Sequence, residues 1–217
     1  MINKIRFISL LIFFQALAVN AQKPDSTSTD STYIKENIKY RSELDNSYSN
    51  IITSPLKDRD RKKFIGHSFF DVKINYRVVA KIEKTPRART FKMRTTSNRI
   101  HEYVKYGILS FVINGVTLRL SVYQSLSHKE SEDYKNYLFL PFKDRTNSHD
   151  TYGGGRYIDL EIPKDGNNEV VIDFNKAYNP YCHYNSEYSC PLVPRENHLL
   201  IEVRAGAKKY QGKLVGH

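Results

Sequence analysis

The sequence predicts an all-β protein: a single antiparallel β-sandwich or barrel-like domain with a short N-terminal helix and a long polar loop near the C-terminal end. Three observations carry that expectation. Val72, Ile74, Tyr76, Val78, Ala80 and Ile82 alternate with polar neighbours, the period of a half-buried strand. Residues 106–113 and 116–123 are two β-prone runs joined by Asn114-Gly115, both of which tolerate the positive φ of a type I′ turn. Neither helix–strand alternation nor an internal repeat is visible along the chain, which argues against parallel α/β and repeat architectures.

Residues 1–21 read as a signal peptide. Lys4 and Arg6 precede an apolar run over residues 7–18, and Val19-Asn20-Ala21 offers a small-residue cleavage site. The run is shorter than the roughly 18 residues that span a bilayer, and no later stretch approaches that length. The protein is therefore expected to be exported, periplasmic or secreted, with no transmembrane segment. A lipid anchor would need a cysteine at the cleavage point, whereas the two cysteines stand at 182 and 190. Residues 22–32, QKPDSTSTDST, have almost nothing to bury and read as a flexible linker. The single domain then occupies residues 33–217. Ile34, Ile38 and Leu44 lie at near-helical spacing and predict a short surface helix over residues 33–44. Ser54-Pro55 and the charged run 57–63 mark a break after it.

The alternating strand over residues 72–82 comes next, and Phe91, Met93 and Thr95 repeat its pattern briefly before the Asn-Gly hairpin. SLSHKESEDYKN at 125–136 is a polar connection. YLFLPF at 137–142 is a strand whose Pro141 suits an edge or a terminus. Residues 156–162 and 169–174 flank Pro163-Lys164-Asp165-Gly166 and predict a second hairpin. After a long loop, Leu199, Ile201, Val203 and Ala205 alternate in a last strand, and residues 206–217 form a short basic tail.

Composition agrees with one such domain. A chain of 217 residues suffices for one well-buried core. With 40% hydrophobic and 26% charged residues and a mean hydropathy of -0.57, the apolar content must concentrate in the strands just named. The 34 basic and 23 acidic residues give a net charge of +11, and loss of Lys4 and Arg6 with the leader leaves +9. Outside the cytoplasm that balance suits anionic glycans, lipid headgroups or peptidoglycan better than nucleic acid, for which no motif is present. A solvated basic surface kept soluble by its charge is the plainer account.

Chemistry concentrates between residues 144 and 197. Gly153 to Gly155 permit a tight turn or a close backbone approach before Arg156; with no Lys-Ser/Thr and no helix after them, they do not make a phosphate cradle. On the expected second hairpin Arg156 and Asp173 can pair across strands, either to fix register or to hold an anionic or polyol group. Asp159 falls on the opposite face from Arg156 and reads as surface. Asn175, Tyr178, Asn179 and Tyr181, with Asp144 and Asn197, supply hydrogen-bonding groups and flat aromatic faces of the kind sugars favour, although a long irregular loop needs the same groups for its own backbone. Tyr178 and Tyr181 would provide the stacking faces. In an oxidising compartment Cys182 and Cys190 are expected to form a disulfide, whose small ring would stabilise the fold by about 2.5 kcal/mol. A metal site from Cys182, His183, Cys190 and His149 would require both thiols to escape oxidation, so neither metal nor cofactor is expected. No G-x-S-x-G marks a serine hydrolase. The preferred reading is a binding module for a polar or anionic cell-envelope ligand such as a glycan. The alternatives are a cell-envelope hydrolase using the Asp144 and Asp173 carboxylates, and a purely structural envelope protein.

The blocks TYGGGRY, DFNKAYNPYC, YSCP and EN.L resemble those of an uncharacterised bacterial and archaeal family, domain of unknown function 1684. The resemblance extends upstream through Ser54-Pro55-Leu56, RKKFIGHSFF and Lys105-Tyr106-Gly107, and covers most of the mature chain. It implies no activity. Ser148 stands where the family usually has glycine after Thr-Asn, Val193 breaks a usual Pro-Pro pair, and Ala207 replaces a glutamate found in many members.

Overall fold

Seven strands make one sheet in the computed structural model, which describes residues 26–97 and 99–212. The leader read over residues 1–21 lies outside the described residues. The strands are β1 Arg77–Lys84, β2 Phe91–Met93, β3 His101–Ile113, β4 Val116–Ser125, β5 Tyr137–Phe142, β6 Arg156–Glu161 and β7 Glu169–Asp173. They run in the order β6-β5-β4-β3-β1-β7, with β2 added on β3, and every neighbouring pair is antiparallel. The sheet curls into a half-barrel, the all-β barrel-like architecture expected. The β3–β4 hairpin forms as expected: Asn114 has φ 50° and Gly115 φ 79°, the two positive values of a type I′ turn.

Alternation explains both faces of the sheet. Inside the curl, Ala80 and Ile82 of β1 meet Leu109, Phe111 and Ile113 of β3, Leu120 and Val122 of β4, Leu138 and Leu140 of β5, and Ile158 of β6. Each fully buried Leu or Ile contributes roughly 1.5–3 kcal/mol relative to exposure. The outer face carries a second cluster, in which Met93, Tyr103, Tyr123, Phe139 and Tyr157 are roofed by Cys182, Cys190 and Val193 of the C-terminal loop. That is why YLFLPF is apolar on both sides.

Four expectations are corrected. The helix α1 runs over Ser26–Ser49, so it begins inside the stretch read as a linker. Its buried side is not Ile34 and Ile38, which are exposed, but Tyr33, Asn37 and Tyr48; it docks through polar contacts, with the Tyr33 hydroxyl donating to Asp173 at 2.7 Å and the Tyr40 hydroxyl to the Lys176 carbonyl at 2.9 Å. The strand over 72–82 breaks, because Ile74–Tyr76 is a 3-10 turn and the ladder starts at Arg77. The second hairpin does not form: β6 pairs with β5 and β7 with β1, at opposite ends of the strand order. Lys164–Gly166 is a 3-10 turn that carries the chain across the open seam between them. Finally, residues 199–205 alternate as predicted, with Leu199, Val203 and Ala205 buried, yet they join no named strand. The start of the basic tail is also docked: the Ala207 amide donates to Ala177 O at 2.8 Å and the Lys208 amide to Ser68 O at 2.7 Å. Among the described residues no helix is long and apolar enough to cross a membrane.

Candidate functional site

Arg156 opens β6 on the strand's inner face, and its guanidinium is fully enclosed. Nη2 donates to Asp144 Oδ2 at 2.7 Å and to the Val203 carbonyl at 2.8 Å; Nη1 donates to the carbonyls of Ala205 and, at 3.3 Å, Ala207. The Phe142 ring lies 5.1 Å from the guanidinium carbon. Asp144 Oδ1 in turn accepts from the Thr146 amide at 2.8 Å and hydroxyl at 2.6 Å. Burial pulls the Arg156 pKa down and Asp144 opposes that pull. The pairing expected with Asp173 is thus replaced by one with Asp144, because β6 and β7 are not neighbours. Asp173 belongs to another group, accepting from the Tyr33 hydroxyl at 2.7 Å and the Asn175 amide at 3.1 Å.

Three of the predicted asparagines serve the scaffold. Asn197 accepts from the Ser121 amide at 2.8 Å and donates to the carbonyls of Ser121 and Pro141, clamping β4 to β5. Asn175 brackets Lys73, accepting from its amide at 3.0 Å and donating to its carbonyl at 2.9 Å. Asn179 donates to the Tyr184 hydroxyl at 3.1 Å and to Lys208 O at 2.8 Å. All three are enclosed. Loops buried against a sheet must satisfy their main chain from somewhere, and amide side chains offer donor and acceptor together.

Tyr178 and Tyr181 lie elsewhere, along a cleft between α1 and the outer face of β5 and β6. A hollow of about 370 Å³ is walled by Tyr40 and Leu44 of α1, Tyr103, Tyr137, Phe139, Tyr157, Tyr178 and Tyr181, with His128, Asp159 and Cys190. A second, of about 260 Å³, shares Tyr40, Asp159 and Tyr178 and adds Arg77, Asp173 and Lys176. Asp159 stands where the two meet. Its Oδ1 accepts from the hydroxyls of Tyr137 and Tyr178, each at 2.7 Å, and among the described residues no hydrogen-bond partner meets Oδ2. Burial and then the Asp159 charge push both tyrosines well above their ordinary pKa, so both stay protonated donors. Sequence reasoning placed Asp159 at the surface correctly but assigned it nothing, and missed Tyr40, Tyr103, Tyr137 and Tyr157. The available signal was alternation: Tyr137, Phe139, Tyr157 and Asp159 share the outer face, and register sets Phe139 opposite Asp159.

Cys182 and Cys190 are both buried thiols and are not bonded to each other, so the structure does not show the expected bridge. The loop is pinned by other means: the Cys190 amide donates to Thr96 Oγ1 at 3.0 Å, and the Thr96 amide to Cys190 O at 2.9 Å. The thiols are nevertheless adjacent, with the Cys182 amide 3.2 Å from Cys190 Sγ. A hydrogen bond between them brings Cys182 down to about 7 and pushes Cys190 up. His183 accepts the Tyr210 amide at Nε2, 3.1 Å, and packs on the Tyr152 ring. Among the described residues no three His, Cys, Asp or Glu side chains gather as a metal-binding group.

Fold and cleft together define a class: a curled antiparallel half-barrel whose outer face, covered by an N-terminal helix and a C-terminal loop, holds a tyrosine-walled hollow. The family described as "Protein of unknown function (DUF1684)" matches residues 62–208, a span that includes all seven strands, and the chain belongs to that family. Among solved structures it is similar to an uncharacterized protein of Haloarcula marismortui determined by solution NMR, with 32% identity, a TM-score of 0.64, and coverage of 83% of this chain and 96% of that one. No curated protein matches.

Proposed function

We propose that the chain is an exported binding module for a hydroxyl-rich cell-envelope ligand, a glycan, taken into the cleft under α1. The observation that carries this is the Asp159 carboxylate, fixed by two tyrosine hydroxyls at one oxygen, open at the other, and set between aromatic walls. Ring faces stack on the C–H faces of sugars, and a fixed carboxylate accepts their hydroxyls. Arg77 and Lys176 in the adjoining hollow suit an acidic substituent on the same ligand. A hydrolase reading loses support at Asp144, which is sealed with Arg156 and reaches no ligand. Arg156 is for the same reason a poor probe of binding, and Asp159 is the residue to change.

Glycan-array screening with peptidoglycan fragments and acidic envelope polysaccharides, followed by calorimetric titration, tests the reading. Asp159→Ala is expected to weaken binding at least about tenfold, with a modest fall in melting temperature because Tyr137 and Tyr178 lose their shared acceptor. Absence of binding to every envelope glycan, or equal binding by the variant, would overturn it.

Export is part of the same proposal, and it carries a redox consequence. In an oxidising compartment the Cys182 thiolate attacks one sulfur of a partner disulfide oxidant. Cys190 then displaces that partner, so the two thiols become one Cys182–Cys190 bond while the oxidant's disulfide is reduced to two thiols. Mass spectrometry of the protein recovered from the periplasm or medium should show the chain without residues 1–21 and lighter by the two thiol hydrogens. An intact leader and free thiols in that fraction would rule out this part of the reading.

A further inference from the structure

A second groove shares no lining residue with the cleft under α1. It has a volume of about 450 Å³ and runs between β2 and residues 192–195. Local pairing builds it. β2 has only three residues and pairs with β3, so Lys92 points outward between Phe91 and Met93. The Leu192 amide donates to Arg94 O at 2.7 Å, which lays residues 192–195 beside β2. The Lys143 amide donates to Asn197 O at 2.9 Å and its carbonyl accepts from the Leu199 amide at 2.8 Å, which brings Lys143 to the same wall.

The charge is one-sided. Lys92, Arg94, Lys143 and Arg195 border the groove together with His198, and no carboxylate lines it. None of these four cations takes part in an ion pair among the described residues. Phe91 is shared with an adjoining hollow of about 630 Å³ bordered by Arg87, Arg89 and Lys105. Its single carboxylate, Glu196, is already held by Lys105 Nζ at 3.2 Å and the Tyr123 hydroxyl at 2.9 Å. Like charges concentrated in a concave site focus a positive potential that an anion relieves. The rest of the lining is apolar: Phe91, Met93, Leu192, Val193 and Pro194. A fully hydrated ion gains nothing from that floor, whereas hydrocarbon does.

We propose that this groove binds an amphiphilic anion, with a phosphate or carboxylate head between Arg94 and Arg195 and an apolar chain along Phe91, Met93 and Leu192. Arginine forks suit such heads because they can engage two oxygens at once. The head chemistry is shared by free amphiphiles and by anionic lipids, and the test separates the two sources.

Calorimetric titration with dodecyl phosphate below its micelle concentration should show one-to-one binding, at least about tenfold tighter than inorganic phosphate. Arg94→Glu/Arg195→Glu should abolish it. Both arginines are exposed and neither side chain makes a hydrogen bond among the described residues, so the fold should persist and the melting temperature serves as the check. Lys35→Glu/Lys39→Glu, which removes the same charge from the exposed side of α1, should bind as the unaltered chain does, and so should Asp159→Ala. Leu192→Asp should weaken dodecyl phosphate and leave inorganic phosphate unchanged. Co-sedimentation with phosphatidylglycerol vesicles that depends on Arg94 and Arg195 would make a membrane surface the source; binding of the free amphiphile alone would make it a soluble ligand. The proposal is overturned by absent dodecyl phosphate binding, by equal affinity for the neutral dodecyl maltoside, by heparin or inorganic phosphate binding as tightly, or by an unaffected arginine double variant.

Discussion

Once sealed from water, a guanidinium keeps its charge only if protein groups replace its hydration. For Arg156 three carbonyls of the 203–207 segment and one Asp144 oxygen do so. Breaking such a pair on one side strands the other charge. Arg156→Met and Asp144→Asn are each expected to cost about 3–5 kcal/mol in urea denaturation, and the double change Arg156→Met/Asp144→Leu less than the sum of the two, because it removes both charges together. Single losses below about 1 kcal/mol would mean that water reaches the pair. The sequence marked Arg156 through the glycines before it, and one of them is indispensable: Gly155 has φ 99°, and a Cβ there would lie 2.6 Å from Val193 Cγ2 and 2.7 Å from Phe142 O. Ser148 makes the complementary point, since its φ of 72° is a conformation that favours glycine. The partner was not legible. Alternation reports which face a side chain takes, and nothing in it distinguishes Asp144 from Asp173 as the carboxylate on that face.

Elements specified by local chemistry were readable, and elements specified by distant neighbours were not. Asn114-Gly115 closes β3 on β4 through backbone preferences contained in two residues. Pro163 to Gly166 carries turn residues too, but the strands on either side find better partners in β5 and β1, so the turn bridges an open seam. In the 199–205 segment the period of two is real, yet the carbonyls of Val203 and Ala205 go to the Arg156 side chain instead of to a neighbouring strand. The burial pattern was therefore right and the strand was not. For α1 the spacing of Ile34 and Ile38 pointed to the wrong face, because the docking side is built from tyrosine hydroxyls and Arg41, which donates to Phe70 O at 2.9 Å. The cleft was hidden for the same reason: Asp159 and its tyrosines come from α1, β5, β6 and the C-terminal loop, and only the folded sheet brings them together.

At the scale of the whole molecule, the outer layer is held by tyrosines whose rings are buried and whose hydroxyls serve carboxylates and carbonyls, and this makes the fold vulnerable to base. Burial, with a smaller push from Cys190, raises Tyr103 to about 12; Tyr157, Tyr137 and Tyr178 are pushed further, the last two also by Asp159. In the unfolded chain each ionises near 10. Between that value and its folded one, the native state binds the proton that the unfolded state has lost, so stability falls as pH rises, by about 1.4 kcal/mol per pH unit for each such tyrosine. Stabilisation from this layer is thus full below pH 10 and drains away from there through pH 12 and above. Absorbance at 295 nm followed against pH should show part of the tyrosine signal rising gradually near pH 10, as phenols in contact with water do. The remainder should appear in one cooperative step at higher pH that coincides with loss of near-ultraviolet circular dichroism. A single gradual titration centred near 10 with the dichroism intact would instead mean that water already reaches the tyrosine layer. The walls of the proposed binding cleft would then not be the dry aromatic surfaces on which a sugar ring could stack.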